Sequence, residues 1–283
     1  MKNLKENLAK LAFICAACIS ILVVALICIF LFANGVPGMV KIGAWDFLTG
    51  TKWKPGNDIY GILPMILGSV YVTAGALIIG VPAGLMTALF LSRFAGKRTA
   101  KLMKPAVELL AGIPSVVYGF FGLVVIVPLV RSLFGGSGSS LLTACLLLGM
   151  MILPTIITVS ESALNAVPSS YYEGALALGA THERAVFSVV LPAARSGVMA
   201  AIILGVGRAI GEAMAVVMVA GNRAVIPNSL IKGVRTLTSN IVMEMGYAAD
   251  LHREALIATA VVLFVFILII NLLFSIIKRK AKI

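Results

Sequence analysis

Hydrophobic residues in this chain fall into long unbroken runs, not into the alternation of a half-buried strand or the one-sided stripe of a surface helix. A helix needs about 20 apolar residues to cross a bilayer. Six stretches reach that length, roughly residues 11–33, 63–92, 106–131, 140–160, 194–221 and 255–277. Each predicts a membrane-spanning helix. Pro64, Pro82, Pro114 and Pro128 lie within the second and third, so these are expected to kink or to begin late. The first run follows Lys2, Lys5 and Lys10, but it is long for a secretory signal and no A-x-A cleavage site follows it. It is expected to remain as an uncleaved helix. The pattern predicts an all-α integral membrane protein with six transmembrane helices in a single domain over 1–283.

Composition changes this picture little: 60% of residues are hydrophobic and 12% charged, too few to clothe a soluble surface. The formal charge of +12 raises the question of a nucleic-acid partner, and the distribution of the charge answers it. With the N-terminus in the cytoplasm, the inside segments hold Lys2, Lys5 and Lys10, then Arg93, Lys97, Arg98, Lys101 and Lys104, then Arg184 and Arg195, and finally Lys278, Arg279, Lys280 and Lys282. Fewer basic residues remain outside, although Arg223, Lys232, Arg235 and Arg253 cluster in the external loop 222–253. This bias places both termini inside and needs no nucleic acid. The cysteines Cys15, Cys18, Cys28 and Cys145 all lie in apolar runs. Cys15 and Cys18 have redox-motif spacing, but lipid offers nothing that stabilises a thiolate, so they read as small apolar filler.

Between the fourth and fifth runs lies Ser169-Ser170-Tyr171-Tyr172-Glu173-Gly174-Ala175-Leu176-Ala177-Leu178-Gly179. Ser170 and Glu173 have the spacing of a capping box, which predicts a short helix from Tyr171, and Gly179 is placed to end it in the left-handed conformation. Thr181 is a candidate N-cap for a second short helix, and Pro192 marks the approach to the next span. Such a cytoplasmic hairpin is either a docking surface for a partner or an amphipathic connector lying on the membrane.

The residues of this loop carry a resemblance. Glu173-Gly174-Ala175, three residues, Gly179, nine residues and then Val189-Val190-Leu191-Pro192 is similar to the EAA loop of ABC-importer permeases, E-A-A, three residues, G, nine residues, I-x-L-P. Gly174 replaces Ala and Val189 replaces Ile, and the spacing is kept. Ala111-Gly112-Ile113-Pro114-Ser115-Val116-Val117-Tyr118-Gly119 resembles a third-span signature of phosphate permeases. The segment from Gly207 to Val216 resembles one shared by paired phosphate subunits, and Trp53-Lys54-Pro55 and Leu237–Gly246 resemble the PstC type. The resemblance implies a type I (MetI-like) permease fold in a bacterial or archaeal cell membrane. It implies a second, PstA-like permease, a PstB-like ATPase dimer that receives the EAA loop, and a PstS-like extracytoplasmic phosphate-binding protein. Glu173, Gly174, Ala175, Gly179, Leu191 and Pro192 are then the residues expected to couple to the ATPase.

Arg208 and Glu212 stand four apart in the fifth run, hence on one face of a continuous helix. A charge in lipid costs several kcal/mol, roughly, unless it is paired or lines a wet cavity. The two residues either pair with each other or line a translocation path, where the Arg208 guanidinium would compensate a desolvated phosphate by forked hydrogen bonds and Glu212 would hold and neutralise the arginine when no anion is present. The path is favoured, because a purely structural pair is costly to keep in lipid. Gly207 and Gly211 make a GxxxG face that predicts close helix packing around these charges.

Glu108 and Glu161 are expected to be solvated or locally paired at span ends. Trp45 and Trp53 are expected to sit at the headgroup boundary, with contact to a binding protein as the lesser reading. No nucleophile–base constellation and no G-x-x-x-x-G-K-[ST] occurs in the sequence, so ATP is expected on partner subunits and no cofactor on this chain. Two rivals remain: an ABC permease for another oxyanion such as sulfate, molybdate or phosphonate, and an ion-coupled secondary carrier, for which no internal repeat is visible.

Overall fold

The computed structural model describes the backbone of residues 2–280 and the side chains of Glu6 and residues 10–276. Lys2, Lys5, Lys278, Arg279, Lys280 and Lys282, which contribute to the expected charge bias, lie outside the described side chains. The described residues are mostly helical, with one small β-hairpin and an irregular segment over 221–236 that Gly221 and Val234 bridge. Helix α1 (Lys2–Ile42) leads through the short α2 (Ala44–Thr49) into strands β1 (Trp53–Lys54) and β2 (Ile59–Tyr60), paired antiparallel with Trp53 opposite Tyr60. Next come α3 (Leu63–Leu89), which runs on through a π turn to Phe94, and α4 (Lys97–Gly112). Helix α5 (Ser115–Phe121) continues through a second π turn into α6 (Val127–Phe134), and α7 (Leu141–Asn165) follows. The connecting hairpin holds α8 (Ser169–Ala177), α9 (His182–Ala185), a third π turn and α10 (Leu191–Ala193). It bends by 69° into α11 (Arg195–Gly211). Last come α12 (Met214–Val219), α13 (Leu237–Glu244) and α14 (Asp250–Lys280). Among the described residues, five helices are long and apolar enough to cross a membrane, or six if the bent pair ending in α11 is one span.

Two spans differ from the sequence expectation. The third does not begin at 106: α4 stops at Gly112 and the apolar span is Ser115–Phe134. Pro114 has no N–H to give the Leu110 carbonyl four residues back, and it forces Ile113 into an extended conformation (ψ 127°). The Tyr118 hydroxyl donates to that carbonyl instead, at 2.9 Å. The fifth run is broken as well. Helix α11 ends at Gly211, Glu212 is extended (ψ 127°), and α12 restarts the span two residues later.

Close approaches set the helix directions. On α3, a Cβ at Gly80 would lie 2.7 Å from Ile152 and one at Gly84 2.8 Å from Ile156, so α3 and α7 run side by side in the same direction. Gly205 of α11 faces Ile156 and Gly197 faces Ala163, so α11 runs antiparallel to α7. Gly35 and Gly38 of α1 abut Val261 and Glu254, which makes α1 and α14 antiparallel. The start of α1, the end of α14 and the hairpin 169–193 therefore share one side of the helical layer, and the β-hairpin and the loop 222–249 share the other. The main core, with Ala76, Leu147, Met151, Ile152, Val216 and Val219 at 0–1% exposure, lies between α3, α5, α7, α11 and α12.

Candidate translocation and coupling sites

The hairpin forms by local chemistry. Helix α8 starts at Ser169 after Pro168, not at Tyr171, and no side chain caps it. Ser170 thus lies inside the first turn, and the expected capping box does not form because Pro168 has already set the helix start. Its end follows the expectation: Gly179 takes φ +83°, its N–H donates to the Leu176 carbonyl at 2.9 Å, and the Ala180 N–H reaches Ala175 at 3.1 Å. Thr181 then accepts from the Arg184 N–H at 3.4 Å and opens α9. The exposed Glu183 carboxyl is held below its usual range, first by a backbone hydrogen bond and then by the Thr181 hydroxyl. The Tyr172 hydroxyl and His182 Nδ1, 2.7 Å apart, join the two arms.

Two faces of this hairpin divide the labour. Val186, Val190 and the half-buried Leu191 pack with Ala88, Leu89 and Leu164 at the ends of α3 and α7, so the hairpin cannot shift without moving those spans. On the outer face Glu173, Gly174, Gly179 and Pro192 are exposed, and Ala175 is half-buried. Leu178 stands 92% exposed and Tyr171 55%. An apolar side chain left this bare on a rigid turn is suited to docking another protein. Beside it Lys104 pairs with Glu161, the Arg93 guanidinium donates to the Leu164 carbonyl at 2.7 Å, and Glu108 is exposed.

Arg208 and Glu212 do not pair. The helix ends between them, which removes the one-turn register that the sequence suggested. Half-buried Arg208 donates to the Thr155 hydroxyl on α7 at 3.3 Å, a neutral partner that leaves its charge uncompensated. The Glu212 carboxylate turns the other way and accepts from the Ala215 N–H at 3.1 Å, closing the first turn of α12. Gly207 and Gly211 also depart from expectation: a Cβ at either would meet nothing within 4 Å, and the packed glycines of this helix are Gly197 and Gly205. The face bearing Gly207, Arg208 and Gly211 is thus open on this subunit. Beyond both breaks the span halves close together, since a Cβ at Gly119 of α5 would lie 3.0 Å from Ala215 of α12.

A third cluster went unseen in the sequence. The buried Glu244 carboxylate accepts from Trp53 Nε1 at 2.8 Å and from Arg235 at 2.6 Å, and it lies 2.9 Å from His252 Nε2. Arg235 also donates to the Asn222 carbonyl and to Asn240, each at 3.0 Å. Trp53 is 8% exposed, so it is not the headgroup anchor expected, whereas Trp45 at 77% keeps an anchor's exposure. Burial, then the Asp58 carboxylate, pushes the Tyr60 hydroxyl up to about 12. The available signal was Glu244, the one acid in the stretch Leu237–Gly246.

Residues 80–283 match the family model of the binding-protein-dependent transport system inner membrane component. The chain is 40% identical over 281 residues to the "Probable ABC transporter permease protein YqgH" of Bacillus subtilis, covering 94% of this chain and 90% of that one. It is 35% identical over 271 residues to the phosphate transport system permease protein PstC of Mesorhizobium japonicum, covering 88% and 83%. Among solved structures, an inward-facing MetNI methionine ABC transporter shares the fold at TM-score 0.58 and 22% identity, over 78% of this chain and 94% of that one. An amino acid ABC transporter with histidines matches at TM-score 0.54. With its exposed EAA hairpin, its broken spans and these relatives, the chain belongs to the binding-protein-dependent transport system inner membrane component family, the multi-pass permease subunits of ABC transporters.

Proposed function

We propose that this chain is the permease subunit of an ATP-driven phosphate importer and supplies half of the translocation path. The observation that carries the reading is the open α11 face, where Arg208 presents a guanidinium held, among the described residues, only by a neutral hydroxyl. A second, PstA-like permease would complete the path against that face, so that a desolvated phosphate meets fixed forked donors. Glu212 caps α12 instead of neutralising the arginine, which leaves the cation available to an anion. The relatives named PstC support phosphate as the cargo.

Glu173, Gly174, Ala175, Gly179, Leu191 and Pro192 belong to the coupling hairpin. Its exposed face would seat on a PstB-like ATPase dimer that binds the ATP, with this side of the protein in the cytoplasm. Because Val186, Val190 and Leu191 pack against span ends, movement of the ATPases would be passed to α3 and α7. A PstS-like extracytoplasmic protein would deliver phosphate from the opposite side.

The test is uptake into proteoliposomes holding the assembled complex with its binding protein. The expected result is ATP-dependent accumulation of phosphate that sulfate does not compete away and that Arg208→Ala abolishes. Uptake of a different oxyanion would move the cargo, and uptake driven by an ion gradient without ATP would overturn the machine. Normal phosphate transport by Arg208→Ala would remove the arginine from the path.

A further inference from the structure

We infer that α13 is a connecting rod between the extracytoplasmic face and the break in the α11–α12 span, with Thr238 as the positioning residue at its inner end. The inference rests on the transport reading above and adds a route by which arrival of a binding protein reaches the path.

The inner end is tied to the break. A span interrupted within lipid frees backbone groups that must find partners. The Thr238 hydroxyl donates to the Glu212 carbonyl at 2.9 Å, and the Ser69 hydroxyl of α3 accepts from the Leu237 N–H at 2.9 Å. Thr236 caps the same helix end by accepting from the Ser239 N–H at 3.2 Å. The seam between Thr238, Glu212, Ser69 and Thr73 holds no space for a water molecule. In this arrangement the Glu212 carbonyl is therefore partnered by Thr238 and not by solvent.

Glu244 ties down the outer end. It is the last residue of α13, and three separate segments converge on its carboxylate: Trp53 from the β-hairpin, Arg235 from the loop before α13, and His252 from α14. About six residues of helical rise, roughly 9 Å, separate the two anchors. Ser239 and Asn240 between them are 0% exposed, as is Leu237 just before. A two-turn helix with one face buried, although Val242 on the other is 47% exposed, would move as a unit. Displacing the β-hairpin therefore pulls Glu244, the rod, and then the carbonyl of Glu212, whose carboxylate sets the start of α12. The two-state element that coupling requires is the interrupted span itself. The exposed Lys52, Lys54 and Arg223 lie on the segments joined to the outer anchor, where a docking protein would bear.

The experiment uses the assembled complex in proteoliposomes and titrates the binding protein against phosphate uptake. Thr238→Val keeps the shape and loses the donor, and Thr238→Ser keeps the donor. Thr238→Val is expected to lower maximal uptake roughly fivefold to tenfold, at an unchanged half-saturating concentration of binding protein. Thr238→Ser is expected to stay within about twofold of the parent. A Thr238→Val complex within twofold of the parent overturns the inference, as does a Ser variant that falls as far as Val. A loss expressed only as a higher half-saturating concentration makes α13 a docking element and overturns it as well.

Hydrogen exchange on the unsubstituted complex gives a check that needs no variant. Docking of the binding protein should alter exchange at both 237–244 and 212–216, and a change confined to the outer loops sinks the rod. An unsubstituted complex that imports no phosphate would refute the transport reading, and the exchange result would still decide the rod.

Discussion

Glu244→Ala tests the extracytoplasmic cluster most severely. Its carboxylate and the Arg235 guanidinium are 8% and 15% exposed, so the substitution strands a cation in a dry site, which costs about 3–5 kcal/mol. Trp53 and His252 lose a partner too, and an unsatisfied buried donor costs about 1–3 kcal/mol, although losses within one network do not add. About 4–5 kcal/mol is the working figure. For a chain of this size that shifts Tm by on the order of 10 °C. The assay is thermal unfolding of the detergent-purified subunit, read by labelling of a thiol. Cys145 is buried, whereas Cys15 and Cys18 are exposed and Cys28 half-exposed. With the latter three replaced by Ala, label uptake therefore reports the core. The control is Lys41→Ala, which breaks the Lys41–Glu254 pair, 58% and 33% exposed, worth about 0–1 kcal/mol and no more than about 2 °C. A Glu244→Ala shift as small as that of the control would refute the claim that burial gives this cluster its weight.

Further outcomes follow from other parts of the molecule. Gly80→Leu, whose Cβ would sit 2.7 Å from Ile152, should cost several kcal/mol or prevent folding, while Gly207→Leu on the open face should leave the subunit's Tm within about 2 °C; equal shifts in that thermal assay would contradict the packing. Gly179→Ala must place a Cβ at φ +83°, a strain of about 1–2 kcal/mol, so association with the ATPase in a pull-down titration should weaken by roughly fivefold or more. Tyr60 has a folded-state value of about 12, above the ordinary 10.0, so its neutral form supports the fold fully below about pH 10 and that support drains away as pH rises toward 12. Tyr60→Phe should remove this alkaline limb from a stability–pH profile, and an unchanged limb would assign it to other groups.

Local rules and composition wrote several features directly into the chain. The apolar runs announced the spans because a segment in lipid must close its backbone hydrogen bonds, and a helix does so within the run itself. The stop at Gly179 and the start at Thr181 were legible because each depends on residues within one turn. The EAA spacing was legible for the same reason, as it lies in one contiguous hairpin. Pro114 was visible as an interruption, but the sequence reading let the span begin before it, since α4 carries enough apolar residues to look like part of the same run.

What tertiary structure decided are the properties that depend on partners distant in sequence. Whether Glu212 faces Arg208 depends on where α11 stops, and that stop is held by Thr238, 26 residues further on. Trp53 becomes buried through a carboxylate 191 residues away. Gly205, Gly207 and Gly211 look alike as a stripe, yet only the fold sets the first against α7 and leaves the other two open. Spans and caps follow from the cost of an unpaired backbone in lipid, which any sequence window displays. Which polar side chain meets which depends on how the helices pack, and packing is a property of the whole chain.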